Sequence, residues 1–267
     1  MLLTDGSPNN TEDLRVYESA ILGLANVEAI DLGVKLDLAT EEIAEEVLDF
    51  LLDHAGTNLQ VFSPLQIGTP AARRRLTGVS DVVVTRQLKR WHAVHTLEIV
   101  YRDAFNNQLN DRYQPKFLEY RELARNAREH TFHFGVGLAL IPIPQAQTPV
   151  FSAVAGLIPE TTYYARASWV GASGQEGEPS VITAYGAPAG SLPVVQMTST
   201  PAAAAVATGF NVYLGLTPDA LALQNSTPVP VGQSFTLPST GLAAGAAPGD
   251  GQAADTYISG GWMLRRG

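Results

Sequence analysis

The residues best placed to do chemistry are Trp91-His92-Ala93-Val94-His95, two imidazoles at i and i+3 on one predicted helix, with Glu98 three residues further on. His130 and His133 repeat the spacing. Two histidines and a carboxylate could form a zinc-ligand set. However, HExxH is absent and both His92 and His95 flank an apolar stripe, so packed or interhelical polar contacts are the expected role. Carboxylates crowd residues 37–53 but recur along a single helix face. Acid–base catalysis needs two carboxylates in unlike environments inside a cleft, so a solvated face is expected instead. No Gly-x-Ser-x-Gly, Walker-type or Gly-x-Gly-x-x-Gly pattern occurs, leaving hydrolase, nucleotide and dinucleotide readings without support. There is no cysteine, which excludes thiol catalysis, thiolate metal sites and disulfides, and fits synthesis in the cytoplasm. The chain is expected to be no enzyme and to carry no metal or cofactor.

Charge is unevenly spread along the 267 residues, whose net is −9. Residues 1–56 hold thirteen acids and two bases, residues 57–145 seven acids and twelve bases, and residues 146–267 six acids and three bases. The first half is therefore charge-dense and split in sign, and the second nearly uncharged, which marks a domain boundary. A dipolar first half suits packing against copies of itself. It does not suit a nucleic-acid reader, which carries a basic stripe. Arg73, Arg74 and Arg75 could meet phosphate or an acidic protein neighbour, and the neighbour is favoured. No apolar run is long enough to span a membrane, and the N-terminal stretch MLLTDGSPNNTEDLR lacks the marks of a signal peptide.

The elements that would position these residues fall into two classes. Thr11 is expected to cap a helix through residue 30, with Leu14, Tyr17, Ile21 and Leu24 on one face. Residues 34–38, VKLDL, look extended, and Thr40 starts a second helix to about 54. Residues 56–80 read as loop. Thr85 opens a long helix with an apolar stripe from Leu88 to Phe105, and Asp111 caps a last one that tolerates Pro115 in its first turn. Beyond residue 135 the pattern is β, with strands near 150–154, 161–171, 178–186, 191–198, 209–215 and 232–238. The fold class is α+β in two domains. A helical domain spans 1–140, a Pro-rich linker 141–149, an immunoglobulin/fibronectin-like β-sandwich 150–242, and a flexible arm 243–267. TYYARASWVGASGQEGEPS (162–180) reads like a final hairpin, yet it precedes SLPVVQM and GFNVYLG. The strand order is therefore expected to be circularly permuted, with a plain seven-strand topology as the alternative. Trp169, Tyr163 and Tyr164 read as core or cross-strand pairs rather than a sugar platform.

YESAILGLANVEAIDL, KLDLATEEIAEEVLDFLL and VVVTRQLKRWHAVHTLEIVYRDAFNNQLNDRY, followed by the sandwich, resemble head–tail adaptor (connector, head-completion) proteins of tailed bacteriophages. The resemblance implies a structural virion protein at the neck, forming a ring, expected as a dodecamer, beneath the portal. The ring would join capsid to tail and let DNA through its lumen without sequence-specific binding. It implies portal, tail or nozzle proteins as partners, no membrane, and a sandwich facing outward. The portal is expected to be gripped by the tail residues Tyr257, Ile258, Trp262, Met263, Leu264, Arg265 and Arg266. Glu41, Glu42, Glu45, Glu46, Arg73, Arg74 and Arg75 are expected at subunit boundaries or the lumen. The alternative is a host-surface or glycan-binding module carried by the sandwich.

Overall fold

The computed structural model describes residues 1–55, 78–108, 111–198 and 200–260. The chain is α+β, with five helices in its first half and antiparallel sheets in its second, among the described residues. It divides into two units. One comprises Gly6–Leu140 and the chain from Ala254 onward; the other comprises Met1–Asp5 and Ile141–Ala253.

In the helical unit, α1 (Thr11–Tyr17) is capped by Asn10 rather than Thr11. The Asn10 side chain accepts from the Asp13 N–H at 2.9 Å, and the Asp13 carboxylate accepts from the Asn10 N–H at 3.0 Å, a reciprocal capping box. The expected single helix breaks at Glu18, whose backbone is extended. Lys116 lies 3.2 Å from the Glu18 carboxylate and the Tyr120 hydroxyl donates to it at 3.1 Å, so tertiary partners fix the break. α2 (Ile21–Val27) follows and ends with Ala29 in the left-handed region at φ 54°. There the Ile30 N–H reaches back to the Ala25 carbonyl at 2.8 Å, as in a Schellman closure.

α3 (Leu32–Ala55) begins eight residues before the expected start at Thr40. The Asp31 side chain accepts from the Gly33 N–H at 2.8 Å and so caps it. VKLDL is helical because Leu32, Leu36, Ala39, Ile43, Val47 and Leu51 bury one continuous face. That packing overrides a short β-prone run. Thr40 instead donates to the Leu36 carbonyl inside the helix, at 2.9 Å.

α4 (Arg86–Gln108) opens at Thr85, as expected; the Thr85 hydroxyl accepts from the Leu88 N–H at 3.3 Å. It is buried around most of its circumference, including Trp91, His92, Ala93, Val94, Leu97, Ile99 and Val100, and forms the centre of the unit. α5 (Gln114–Phe134) buries Tyr120, Ala124, Ala127 and Thr131. Asp111 closes the turn before it through a backbone bond to Gln114, while Tyr113 takes the capping position. Gly135 ends it at φ 108°. β1 (Val136–Leu138) then pairs antiparallel with β10 (Thr256–Ile258), in the register Val136↔Ile258.

In the second unit, β2 (Val150–Ala155), β5 (Ser191–Gln196) and β9 (Ser234–Thr236) form one sheet in the order β2-β5-β9. β4 (Thr183–Ala187), β3 (Thr161–Gly171), β6 (Ala207–Gly215) and β7 (Ala222–Leu223) form a second in the order β4-β3-β6-β7, with β8 (Val229–Pro230) also on β6. The short α6 (Pro201–Val206) precedes β6. One core draws on both sheets: Ala165, Ala167, Trp169, Phe210, Val212 and Leu214 from the larger, Val195 from the smaller, and Leu237 just beyond β9. Trp169 and Phe210 are cross-strand partners, packed edge to face at 6.1 Å.

Two segments differ from expectation. Residues 141–149 are not a free linker, since Ile143 and Ala146 are buried in that core. Prolines hold the backbone extended, and Ile143 packs where a Cβ on Gly171 or Gly177 would collide with it. Nor is the stretch from 243 to 260 a free arm. Ala246 accepts from the Leu223 N–H at 2.9 Å, Gln252 accepts from the Ile143 N–H at 2.9 Å, and Tyr257 and Ile258 sit in β10. The backbone polar groups of this small-residue stretch find partners far away in sequence, which composition does not reveal.

Candidate functional site

His92 is fully buried on α4. Its Nδ1 accepts from the Asn9 side-chain amide at 2.9 Å, and its Nε2 faces the Leu36 carbonyl at 3.0 Å and the Thr40 hydroxyl at 2.9 Å. A carbonyl opposite Nε2 assigns the proton there. Burial drives its pKa down to about 4, so the ring is neutral at pH 7. It ties the segment before α1 and α3 to α4.

His95, one turn on, behaves oppositely. Its Nε2 lies 2.8 Å from the Glu42 carboxylate on α3, and its Nδ1 lies 3.0 Å from Glu98. Burial disfavours its charge, but the hydrogen bonds and charges of Glu98 and Glu42 outweigh that and raise its pKa. The His95 ring bridges α3 and α4. His130 and His133 are exposed, and each meets the Phe134 ring edge-on. Among the described residues, no group of three or more histidines and carboxylates is arranged to hold a metal ion, and no helix is long and apolar enough to cross a membrane.

An open groove of about 500 Å³ runs between α3 and α5 over α4. Trp91, His95 and Glu98 form its floor, Glu46 one wall, and Leu118, Arg121, Arg125 and Arg128 the other. Arg128 pairs with Glu46, and Arg125 donates to Glu122 on its own helix at 2.6 Å. Arg121 has no ion-pair partner among the described residues. The arginines face outward because Tyr120, Ala124, Ala127 and Thr131 take the inner face at helical spacing. This basic stripe is absent from the expected site residues, although the periodicity that predicts α5 carries it.

The expected interface residues are dispersed. Glu42 and Glu46 each engage a partner in their own chain, His95 and Arg128 respectively. Glu41 and Glu45 are exposed on the outer face of α3 with Val34, Leu48 and Leu52, and neither has an ion-pair partner among the described residues. Tyr257 is 61% exposed on β10 and Ile258 follows it. Arg73, Arg74 and Arg75 lie outside the described residues, as do Trp262, Met263, Leu264, Arg265 and Arg266.

In the β unit, Trp169 and Tyr163 are buried and Tyr164 is half-buried, so the first two are core residues. Glu176, after β3, accepts from Ser168, from the Asn211 amide at 2.7 Å and from the Tyr213 hydroxyl at 2.6 Å. Asn225 donates to Asn211 at 2.8 Å and accepts from the Val212 N–H at 2.7 Å. This network satisfies its own buried groups and fixes the turn against β6. No protein-family model matches the chain significantly, and neither does any curated protein or solved structure.

Proposed function

We propose that this chain is a structural protomer of a ring at the head–tail junction of a tailed bacteriophage, placed beneath the portal and leaving a lumen for DNA. The observation that carries this reading is the split of charge within the helical unit. The outer face of α3 presents Glu41 and Glu45, without cationic partners among the described residues, while α5 presents Arg121 and Arg125. Two different complementary faces on one protomer make a head-to-tail contact, the kind that closes into rings. Electron microscopy of the purified chain, alone and with portal protein, tests it. Closed rings are expected; a monomer under both conditions would overturn the reading.

The β unit, in this reading, is a fibronectin-like sandwich with permuted strand order. Supporting it, both sheets feed one core, and β3 lies between β4 and β6. In an immunoglobulin-type sandwich the last two strands share a sheet in the order C-F-G. β6-β3-β4 reproduces that order when the β3–β4 hairpin stands for the last two strands. β5, β6, β7 and β9 then supply the strands that ordinarily precede it. An experimental structure with a different strand order would remove this assignment.

Portal contact through the chain end is part of the same proposal, with the exposed Tyr257 as its inner limit. Because β10 belongs to the fold, the informative truncation removes only residues beyond Gly260. Loss of portal binding with an unchanged helical circular-dichroism spectrum is expected, and full binding would exclude the tail. A second reading, a host-surface or glycan module, is favoured by the uncharged edge strand β2, with Val150 and Val154 exposed and Leu157 95% exposed beside it. Failure of the purified chain to bind host cells would remove that reading.

A further inference from the structure

We propose that Glu41, Glu45 and Leu48 on α3 of one copy seat antiparallel against Arg125, Arg121 and Leu118 on α5 of the next. The inference rests on the ring reading and specifies its interface. On α3 the three residues lie on the face opposite the buried Ile43 and Val47, with Leu48 37% exposed. On α5 the corresponding three are exposed along the rim of the groove, flanking the buried Ala124 and Ala127, with Leu118 50% exposed. Each charged pair is spaced i, i+4, one turn or about 6 Å along the helix. Run antiparallel, one register sets Glu41 against Arg125, Glu45 against Arg121 and Leu48 against Leu118 together. Run parallel, the same charge pairing sets Leu48 against Arg128, which is already engaged by Glu46. The favourable register is bounded on one side, where Asp37 would meet Glu129 with like charge. Glu46 and Arg128 stay paired within each copy, Glu41, Glu45 and Arg121 have no ion-pair partner among the described residues, and Arg125 is held by Glu122 on its own helix. The arginine wall also edges the groove between α3 and α5, giving the incoming helix a recess beside Leu118.

Sedimentation velocity on the full chain tests this with the charge-reversed variants R121E/R125E and E41R/E45R. Each alone is expected to self-associate at least about tenfold more weakly than wild type. An equimolar mixture is expected to regain assembly, because every contact in an alternating ring again joins opposite charges. L118D is expected to weaken assembly without altering either charge pair. All substituted positions are surface ones, so helical circular dichroism should not change. Wild-type rings with reversed variants that assemble equally well, or a mixture that stays dissociated, would overturn this interface and leave the ring reading standing. A wild type that never associates would remove both.

Discussion

At the scale of single residues, the two histidines that invite a metal reading are opposed electrostatic devices. His92 is held neutral by burial, with its pKa lowered to about 4. Below the unfolded value of about 6.5 the unfolded chain takes up this proton and the folded chain does not. The stability due to neutral His92 is thus present above about pH 6.5 and falls as pH drops toward 4, by about 3 kcal/mol in all. His95, raised by Glu98 and Glu42, contributes stability that is present below the unfolded value and lost as pH rises through its folded value. Urea midpoints followed by helical circular dichroism between about pH 9 and about pH 4 separate the two. His92→Gln should flatten the acid loss while lowering stability at neutral pH. His95→Gln should instead remove the decline above the ordinary histidine range. If His92→Gln leaves the acid limb as steep as in wild type, the neutral-core assignment of His92 is wrong.

At the scale of elements, the most exacting contact is where α5 ends and β10 returns. Gly135 has φ 108°, and a Cβ there would sit 3.1 Å from the Ile258 carbonyl oxygen and 3.2 Å from the Tyr257 Cβ. Both the backbone conformation and the close approach require glycine. Gly135→Ala should cost about 1–3 kcal/mol and loosen β10 before the helices. Hydrogen exchange would show it as faster exchange in β1 and β10 with protection in α4 retained. Exchange unchanged in β10 would mean the strand is not held by this approach. The same element logic explains α3, where the cap at Asp31 and a six-residue buried face decide the helix start.

At the scale of the whole molecule, the proposed assembly depends on which charges folding consumes and which it leaves exposed. Glu42, Glu46 and Arg128 are used internally; Glu41, Glu45 and Arg121 have no ion-pair partner among the described residues. An assembly joined by such exposed pairs is screened by salt. Its weight-average mass should fall as ionic strength rises from about 0.05 M to about 0.5 M, because the Debye length shrinks well below 10 Å. A mass that holds steady across that range would point to an apolar interface instead. The pairing of chain ends also belongs to this scale. Met1–Asp5 packs in the β unit, and the chain beyond Ala254 returns to the helical one.

Local sequence signals carried the α+β class, the switch from helix to strand near residue 140, and several elements almost to the residue. α4 was legible because Thr85 caps it and its apolar stripe is continuous, and β3 because alternation runs between Pro159 and a Gly-rich turn. These are local signals, carried by neighbours a few residues apart. Tertiary structure alone decided the break at Glu18, the helical state of VKLDL, the burial of Ile143 and the capture of Tyr257 and Ile258 by β1. It also decided which acids of α3 remain available to a partner. Each of those outcomes depends on a contact between residues far apart in sequence. Glu18 needs Lys116 and Tyr120, Glu42 needs His95, and β10 needs β1, and no local periodicity encodes such partners.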